Sequence, residues 1–176
     1  MYSRPRYKEP VRGQGLQPLD VIEGYQVRPG FYKTKGATPG NGGVSFTVGS
    51  HHATKCTLLL FRPHEKEPYA RIPFPDTYRI GSVYSMFVYG LKIEDFEYAF
   101  QFDGPYDERA GHRFNKDAII LDPYARAVTE QRVWGEKFED GYVYKARVVE
   151  NNFDWGKKKQ LENNLEDPQK IGNRST

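Results

Sequence analysis

Apolar and polar residues alternate with a period of two through most of the middle of this chain. Phe96, Tyr98, Phe100 and Phe102 fall on one face of a strand, with Glu97, Ala99 and Gln101 on the other, the pattern of a sheet with one buried side. Gly40, Gly42 and Gly43 form a turn before Val44, Phe46 and Val48, which alternate with Ser45 and Thr47. Residues 54–61 are nearly continuous in apolar side chains toward their end, which suits an interior strand covered on both sides. In residues 82–89, Val83, Phe87 and Tyr89 lie on one face and Tyr84, Met86 and Val88 on the other. Gly90 ends that strand, and the short loop through Lys92 and Glu94 predicts an antiparallel hairpin with the Phe96 strand.

Pro63, Pro68, Pro73 and Pro75 divide the stretch between these strands into short pieces. Proline cannot donate to a central ladder, so residues 69–74 are at best an edge strand. Residues 118–121 form a short apolar piece, and residues 142–149 are a final alternating strand. Short strands at this spacing, with hardly a helical period anywhere, predict an all-β fold. The expected architecture is an immunoglobulin-like antiparallel β-sandwich with a long structured loop and extended termini.

Three zones follow from composition. Residues 1–30 are rich in Arg, Pro and Gly, with one apolar stretch at Leu19, Val21 and Ile22, and read as an arm. Residues 31–150 are the folded domain. From residue 151 the chain turns polar; Asn152, Phe153, Asp154 and Trp155 still look structured, whereas the remainder to Thr176 reads as a linker or tail. The 176 residues are enough to bury a real core. A net charge of +3, from 26 basic and 23 acidic residues, is too small and too dispersed to argue for nucleic acid. The 15% aromatic content, 13 Tyr and 11 Phe, favours strands. Cys56, the single cysteine, is expected in the core. With no apolar leader between Met1 and Leu19 and no membrane-spanning run, the expected setting is cytoplasmic, away from any membrane.

The loop after the Phe96 strand carries most of the candidate chemistry. Asp103, Gly104 and Pro105 must end the strand in a turn. Arg109, His112 and Arg113 then lie close in sequence to Asp103, Asp107 and Glu108, a composition expected to hold the loop together by its own polar contacts. Asp103 and Asp107 are the best local carboxylate pair. A catalytic carboxylate pair needs one partner with a raised pKa. Arginines beside these two would lower both instead, so a structural loop is expected. His112 has no accompanying serine or cysteine nucleophile motif. His51 and His52 lack a second cluster at metal spacing. No catalytic residue, metal or cofactor is therefore expected in this chain.

The run from Phe96 to Val128 resembles the end of the N-terminal β-sandwich of isoamylase-type glycogen debranching enzymes. These belong to glycoside hydrolase family 13, with pullulanases, and their sandwich is classed as carbohydrate-binding module family 48. The resemblance is carried by Gly36-Ala37-Thr38 with Gly42-Gly43-Val44-Ser45-Phe46, and by Ser50-His51-His52-Ala53-Thr54-Lys55. It continues through Asp103-Gly104-Pro105-Tyr106, Gly111-His112-Arg113-Phe114-Asn115 and Leu121-Asp122-Pro123-Tyr124-Ala125, all in the family's order. Asn152 to Trp155 is similar to the family's exit into its catalytic domain, so the likeness covers about residues 25 to 167.

In whole enzymes of the family a (β/α)₈ barrel follows and carries the catalytic carboxylates; this chain stops before it. The resemblance therefore implies a non-catalytic module associated with α-glucan, either glycogen or maltooligosaccharide, in a parent that hydrolyses α-1,6 branch points. It also implies that the barrel docks on loops corresponding to Gly111, His112, Arg113, Phe114, Asn115, Asp122, Pro123 and Tyr124. Sugar binding calls for exposed aromatic faces, and Tyr84, Trp134 and Trp155 are the candidates. The family usually has tryptophan then histidine where this chain reads Tyr84-Ser85, which opens the alternative of a docking module with negligible sugar affinity.

Overall fold

The computed structural model describes residues 16–129, 135 and 143–150. Among these the strands in chain order are β1 (Asp20–Ile22), β2 (Tyr25–Pro29), β3 (Gly36–Gly40), β4 (Gly43–Gly49), β5 (Lys55–Phe61) and β6 (Pro68–Pro73). A single 3₁₀ turn at Asp76–Tyr78 leads into β7 (Arg79–Ile80) and β8 (Val83–Tyr89). Then come β9 (Glu97–Asp103), β10 (Tyr106–Asp107), β11 (His112–Arg113), β12 (Ala127–Val128) and β13 (Ala146–Arg147). One sheet runs β1-β2-β8-β4-β3, with β7 also on β8; the other runs β12-β13-β9-β5-β6; β10 and β11 form a separate hairpin. Every pairing is antiparallel.

The two large sheets pack face to face as a β-sandwich. Val27, Val44, Phe46, Val48, Tyr84, Met86 and Val88 from the first meet Leu58, Leu60, Ile72, Tyr98 and Phe100 from the second in one core. The Phe46 ring meets Tyr98 edge-on at 5.1 Å between centroids, and Phe96 at 6.1 Å. Cys56 is buried in the same cluster. Burial raises its thiol pKa, which keeps it neutral.

Three expectations are corrected. The segment joining β8 to β9 crosses from one sheet to the other, because β8 pairs with β2, β4 and β7 and β9 pairs with β5 and β13. Both strands carry a fully apolar face, and setting those faces against each other across the core buries both at once. Residues 20–29, expected in the arm, form β1 and β2. Their two-residue turn, Glu23-Gly24, returns Val27 into the core beside Val88. The last strand is short, with β13 confined to Ala146–Arg147; Tyr142 and residues 151–176 lie outside the described residues.

Each sheet has part of its outer face covered. On the first sheet the chain at Gly30 and Phe31 lies across a hydroxyl ladder. Ser45 Oγ accepts from the Phe31 N–H at 2.9 Å, Thr47 Oγ1 donates to the Phe31 carbonyl at 3.3 Å, and Ser85 Oγ is hydrogen-bonded to Thr47 Oγ1 at 2.6 Å. Only glycine fits here, since a Cβ at Gly30 would stand 2.5 Å from Ser85 Oγ and 2.6 Å from Ser45 Oγ. On the second sheet Leu59, Phe61 and Ala99 are covered with help from Ile119. Ile120 bridges to Phe100 through two backbone hydrogen bonds of 2.7 and 2.9 Å. Beside them Glu97 is fully buried, with Oε2 3.8 Å from Lys145 Nζ; Lys145 also donates to the Glu65 carbonyl at 2.6 Å.

Candidate functional site

Residues far apart in sequence converge on the ends of β4, β5 and β9. Asp103 closes β9 by accepting the Thr54 N–H on its carbonyl at 2.7 Å and the Gly104 N–H on its own Oδ1 at 2.9 Å. A Cβ at Gly104 would lie 2.8 Å from the Phe114 ring and 3.1 Å from the His52 carbonyl, so the turn, the ring and the histidine segment fit only around glycine. His52 and His112 pack at 4.3 Å between ring centroids, and His51 lies 6.4 Å from His52. No group of three metal-ligating side chains forms among the described residues.

The β10–β11 loop is held through backbone N–H groups. Asp107 Oδ1 accepts from Arg109 N at 2.9 Å and Ala110 N at 3.3 Å; Tyr106 donates to Glu108 Oε1; Asn115 Oδ1 accepts from Asp117 N at 2.9 Å. The loop is held by its own polar contacts as expected, but not by ion pairs, since neither Arg109 nor Arg113 pairs with these carboxylates. Asx turns of this kind fix backbone without drawing on a second side chain. Gly111, at φ +77°, turns the hairpin; Arg113 and Asn115 are exposed, while His112 and Phe114 are half-buried.

A second anchor sits nearby. Asp122 is buried, with Oδ2 accepting from the Tyr98 hydroxyl at 2.6 Å and Oδ1 from Tyr124 N at 2.8 Å. Burial raises the Asp122 pKa, partly offset by those two hydrogen bonds, and burial with the facing carboxylate pushes the Tyr98 hydroxyl far above its ordinary value. Pro123 and Tyr124 point outward, and Tyr124 is held by Lys35, whose Nζ donates to the phenol at 2.9 Å and lies 4.9 Å from the ring centre. Gly36, at φ +84°, admits the Tyr124 carbonyl, which would stand 2.9 Å from a Cβ there. Lys35 Nζ lies 4.0 Å from where a Cβ on Gly49 would stand, just ahead of the Ser50–His52 loop.

The candidate sugar contacts are not brought together. Tyr84 is 1% exposed, its hydroxyl donates to the Ala53 carbonyl at 2.8 Å, and its ring is enclosed by Phe74, Phe102 and the Arg79 guanidinium. It packs the core and has no free face for a glucose ring, which corrects its reading as a platform. Alternation alone left this undecided, because Val83, Phe87 and Tyr89 make the opposite face of β8 largely apolar too, with Ser85 its one polar residue. Trp134 and Trp155 lie outside the described residues.

The sequence reading missed a different aromatic feature. Tyr25 of β2 and Tyr69 of β6 line a groove where the edges of the two sheets meet, with Glu23, Pro68, Ala70 and Arg71 around them and a volume of about 530 Å³. Tyr69 is 43% exposed, and the Arg62 guanidinium lies 5.6 Å from its ring centre. Burial, then the nearby Tyr25, raises its pKa to about 12. The signal available in sequence was the Glu23-Gly24 turn and the proline-bracketed edge strand.

Comparison with known proteins places these features. The model of the family described as "Carbohydrate-binding module 48 (Isoamylase N-terminal domain)" matches residues 34–125, more than half the chain. The Zea mays protein "Isoamylase SU1, chloroplastic" is 30% identical over 68% of this chain and 16% of its own length. The "Glycogen debranching enzyme" of Yersinia enterocolitica is 32% identical over 64% of this chain and 18% of its own length. "Isoamylase 1, chloroplastic" of Oryza sativa subsp. japonica is 33% identical over 57% and 13% respectively. Among solved structures, the pullulanase from Bacillus acidopullulyticus overlays at a TM-score of 0.45 and 19% identity, over 56% of this chain and 11% of that one. The chain thus spans under a fifth of the curated relatives named here, on the part that corresponds to a non-catalytic module. On that match it belongs to the carbohydrate-binding module 48 family, the isoamylase N-terminal domain.

Proposed function

We propose that this chain is the α-glucan-associated module of a debranching enzyme whose (β/α)₈ barrel docks on the surface built by Gly111 to Asn115 and Asp122 to Tyr124. The whole enzyme would hydrolyse α-1,6 branch points of glycogen or a related glucan, with the carboxylates supplied by the barrel. Residues 31–150, extended by β1 and β2, are the module; the arm before it and residues 151–176 are the links to its surroundings. The observation that carries the docking reading is how those strings are used. Buried Asp122, Tyr98 and Gly36, with half-buried Gly104, fix the backbone, while Tyr106, at 67% exposure, and Tyr124, at 45%, face outward with Pro123. Rigid loops that present aromatic side chains suit a partner surface better than a mobile ligand lid.

The cytoplasmic setting is part of the same proposal. Among the described residues no helix is long and apolar enough to cross a membrane, and the plant relatives are chloroplastic by name. The competing reading, a docking module with negligible sugar affinity, draws support from the burial of Tyr84. Co-sedimentation of the chain with glycogen separates the two. Saturable retention, competed by maltoheptaose, is expected for an α-glucan-associated module; recovery of all the protein in the supernatant would leave docking alone.

A further inference from the structure

We propose that the groove between the sheet edges is a binding site for an α-1,4-linked glucan chain, with Tyr25 and Tyr69 as stacking surfaces and Glu23 and Arg71 as partners for sugar hydroxyls. The proposal rests on the reading of the chain as an α-glucan-associated module and locates that contact away from the docking end.

The chemistry of the lining selects the ligand class. A glucose ring offers an apolar C–H face and a rim of hydroxyls, so it needs an aromatic surface beside groups that donate and accept. The groove has two phenol rings, a carboxylate and a guanidinium. One Arg71 N–H is fixed by Gln101 Oε1 at 2.9 Å, which steadies the guanidinium and leaves other donors. A Tyr69 pKa near 12 keeps that hydroxyl protonated at any physiological pH, able both to donate and to accept. The hollow of about 380 Å³ around Gly42, Gly90 and Leu91 has no aromatic ring in its lining.

Two further observations point the same way. The groove borders the edge of β6 that is unpaired among the described residues, where a peptide could add as a strand, but Pro68 and Pro73 bracket that edge and oppose such pairing. Glu23, meanwhile, sits at φ +49° ahead of Gly24 at φ +82°, and Ile22 pairs with Tyr25, which makes a two-residue hairpin turn with both positions left-handed. Asparagine, aspartate or glycine is the ordinary occupant of the first position, and glutamate is strained there. A strained residue whose side chain lines a groove is accounted for by what that side chain contacts.

Isothermal titration of the 176-residue chain with maltoheptaose tests the site, using Tyr69→Ala and Glu23→Asn beside the parent sequence. Loss of one stacking ring should weaken binding by about 5-fold. Glu23→Asn should weaken it by about 3-fold, as for one lost hydrogen bond, while the thermal midpoint holds or rises because asparagine suits the turn. A merely structural role for Glu23 would not separate those two readouts. Binding by the parent that both variants retain in full would overturn the groove and leave the module reading intact. No binding by the parent at millimolar sugar would overturn both, with docking still standing.

Discussion

The docking end and the edge groove are built by opposite means. At the docking end, glycine at positions 36 and 104 admits a carbonyl and a ring where any Cβ would collide, and Asp103, Asp107, Asn115 and Asp122 each tie their own backbone. The groove has no comparable network in its lining. It is the space left between an edge strand and a hairpin, with its rings standing on strands that are fixed for other reasons. A surface meant to meet one partner in one register gains from rigidity, whereas a groove for a repeating polymer needs only rings and hydroxyl partners at suitable spacing. Substitutions at the docking end should therefore register mainly as stability, and those in the groove mainly as affinity.

The largest effect should come from Gly36→Val. A left-handed backbone costs a side chain about 1–2 kcal/mol, and overpacking against the Tyr124 carbonyl adds about 1–3 kcal/mol. Urea unfolding should show a loss of about 2–5 kcal/mol; an unchanged midpoint would break the contrast at its strongest point. Tyr98→Phe removes the hydroxyl that bonds Asp122 and leaves a buried carboxylate oxygen short of a partner, for about 1–3 kcal/mol by the same assay.

The pH dependence of stability sharpens the picture. Because burial raises the Asp122 pKa above its usual 3.8, the folded chain holds that proton more tightly than the unfolded chain does. Between 3.8 and the raised folded value the folded state binds more protons, so this residue's contribution to stability is full below 3.8 and falls as pH rises through that window. Asp122→Asn should remove that component of the slope between acid and neutral pH, and an identical profile would contradict the assignment. The smallest stability change belongs to the groove: Tyr69→Ala, on an exposed edge, should stay within about 0.5 kcal/mol of the parent.

Much of the sandwich was legible because its strands obey period two. All four aromatics of the Phe96 strand face the core side as read, β4 and β5 fall where alternation and apolar continuity put them, and the prolines correctly mark β6 as an edge. Legibility failed where both faces of a strand are largely apolar. Along β8 only Ser85 hints that Tyr84 points inward while Phe87 packs outward against Phe31, since Gly30 and Phe31 arrive from elsewhere in the chain to cover that face. The crossing from β8 to β9 failed for a related reason, because a loop of that length serves a hairpin or a sheet change equally well. Tyr25 and Tyr69 meet only once the sheets are stacked, so the Glu23-Gly24 turn and the proline-bracketed strand each mark one wall of the groove but nothing local joins them. The strings that carried the family likeness gave up their sequence positions but not their purpose; glycine contacts at Gly36 and Gly104 explain why small residues stand there.

The separation of the two surfaces is tested most directly by chemical-shift mapping of the full chain during a maltoheptaose titration. Saturable shifts at Tyr25, Tyr69, Ala70 and Arg71, with Gly111 to Asn115 and Tyr124 unmoved, are expected. Shifts confined to the docking end, or none at millimolar sugar, would contradict it.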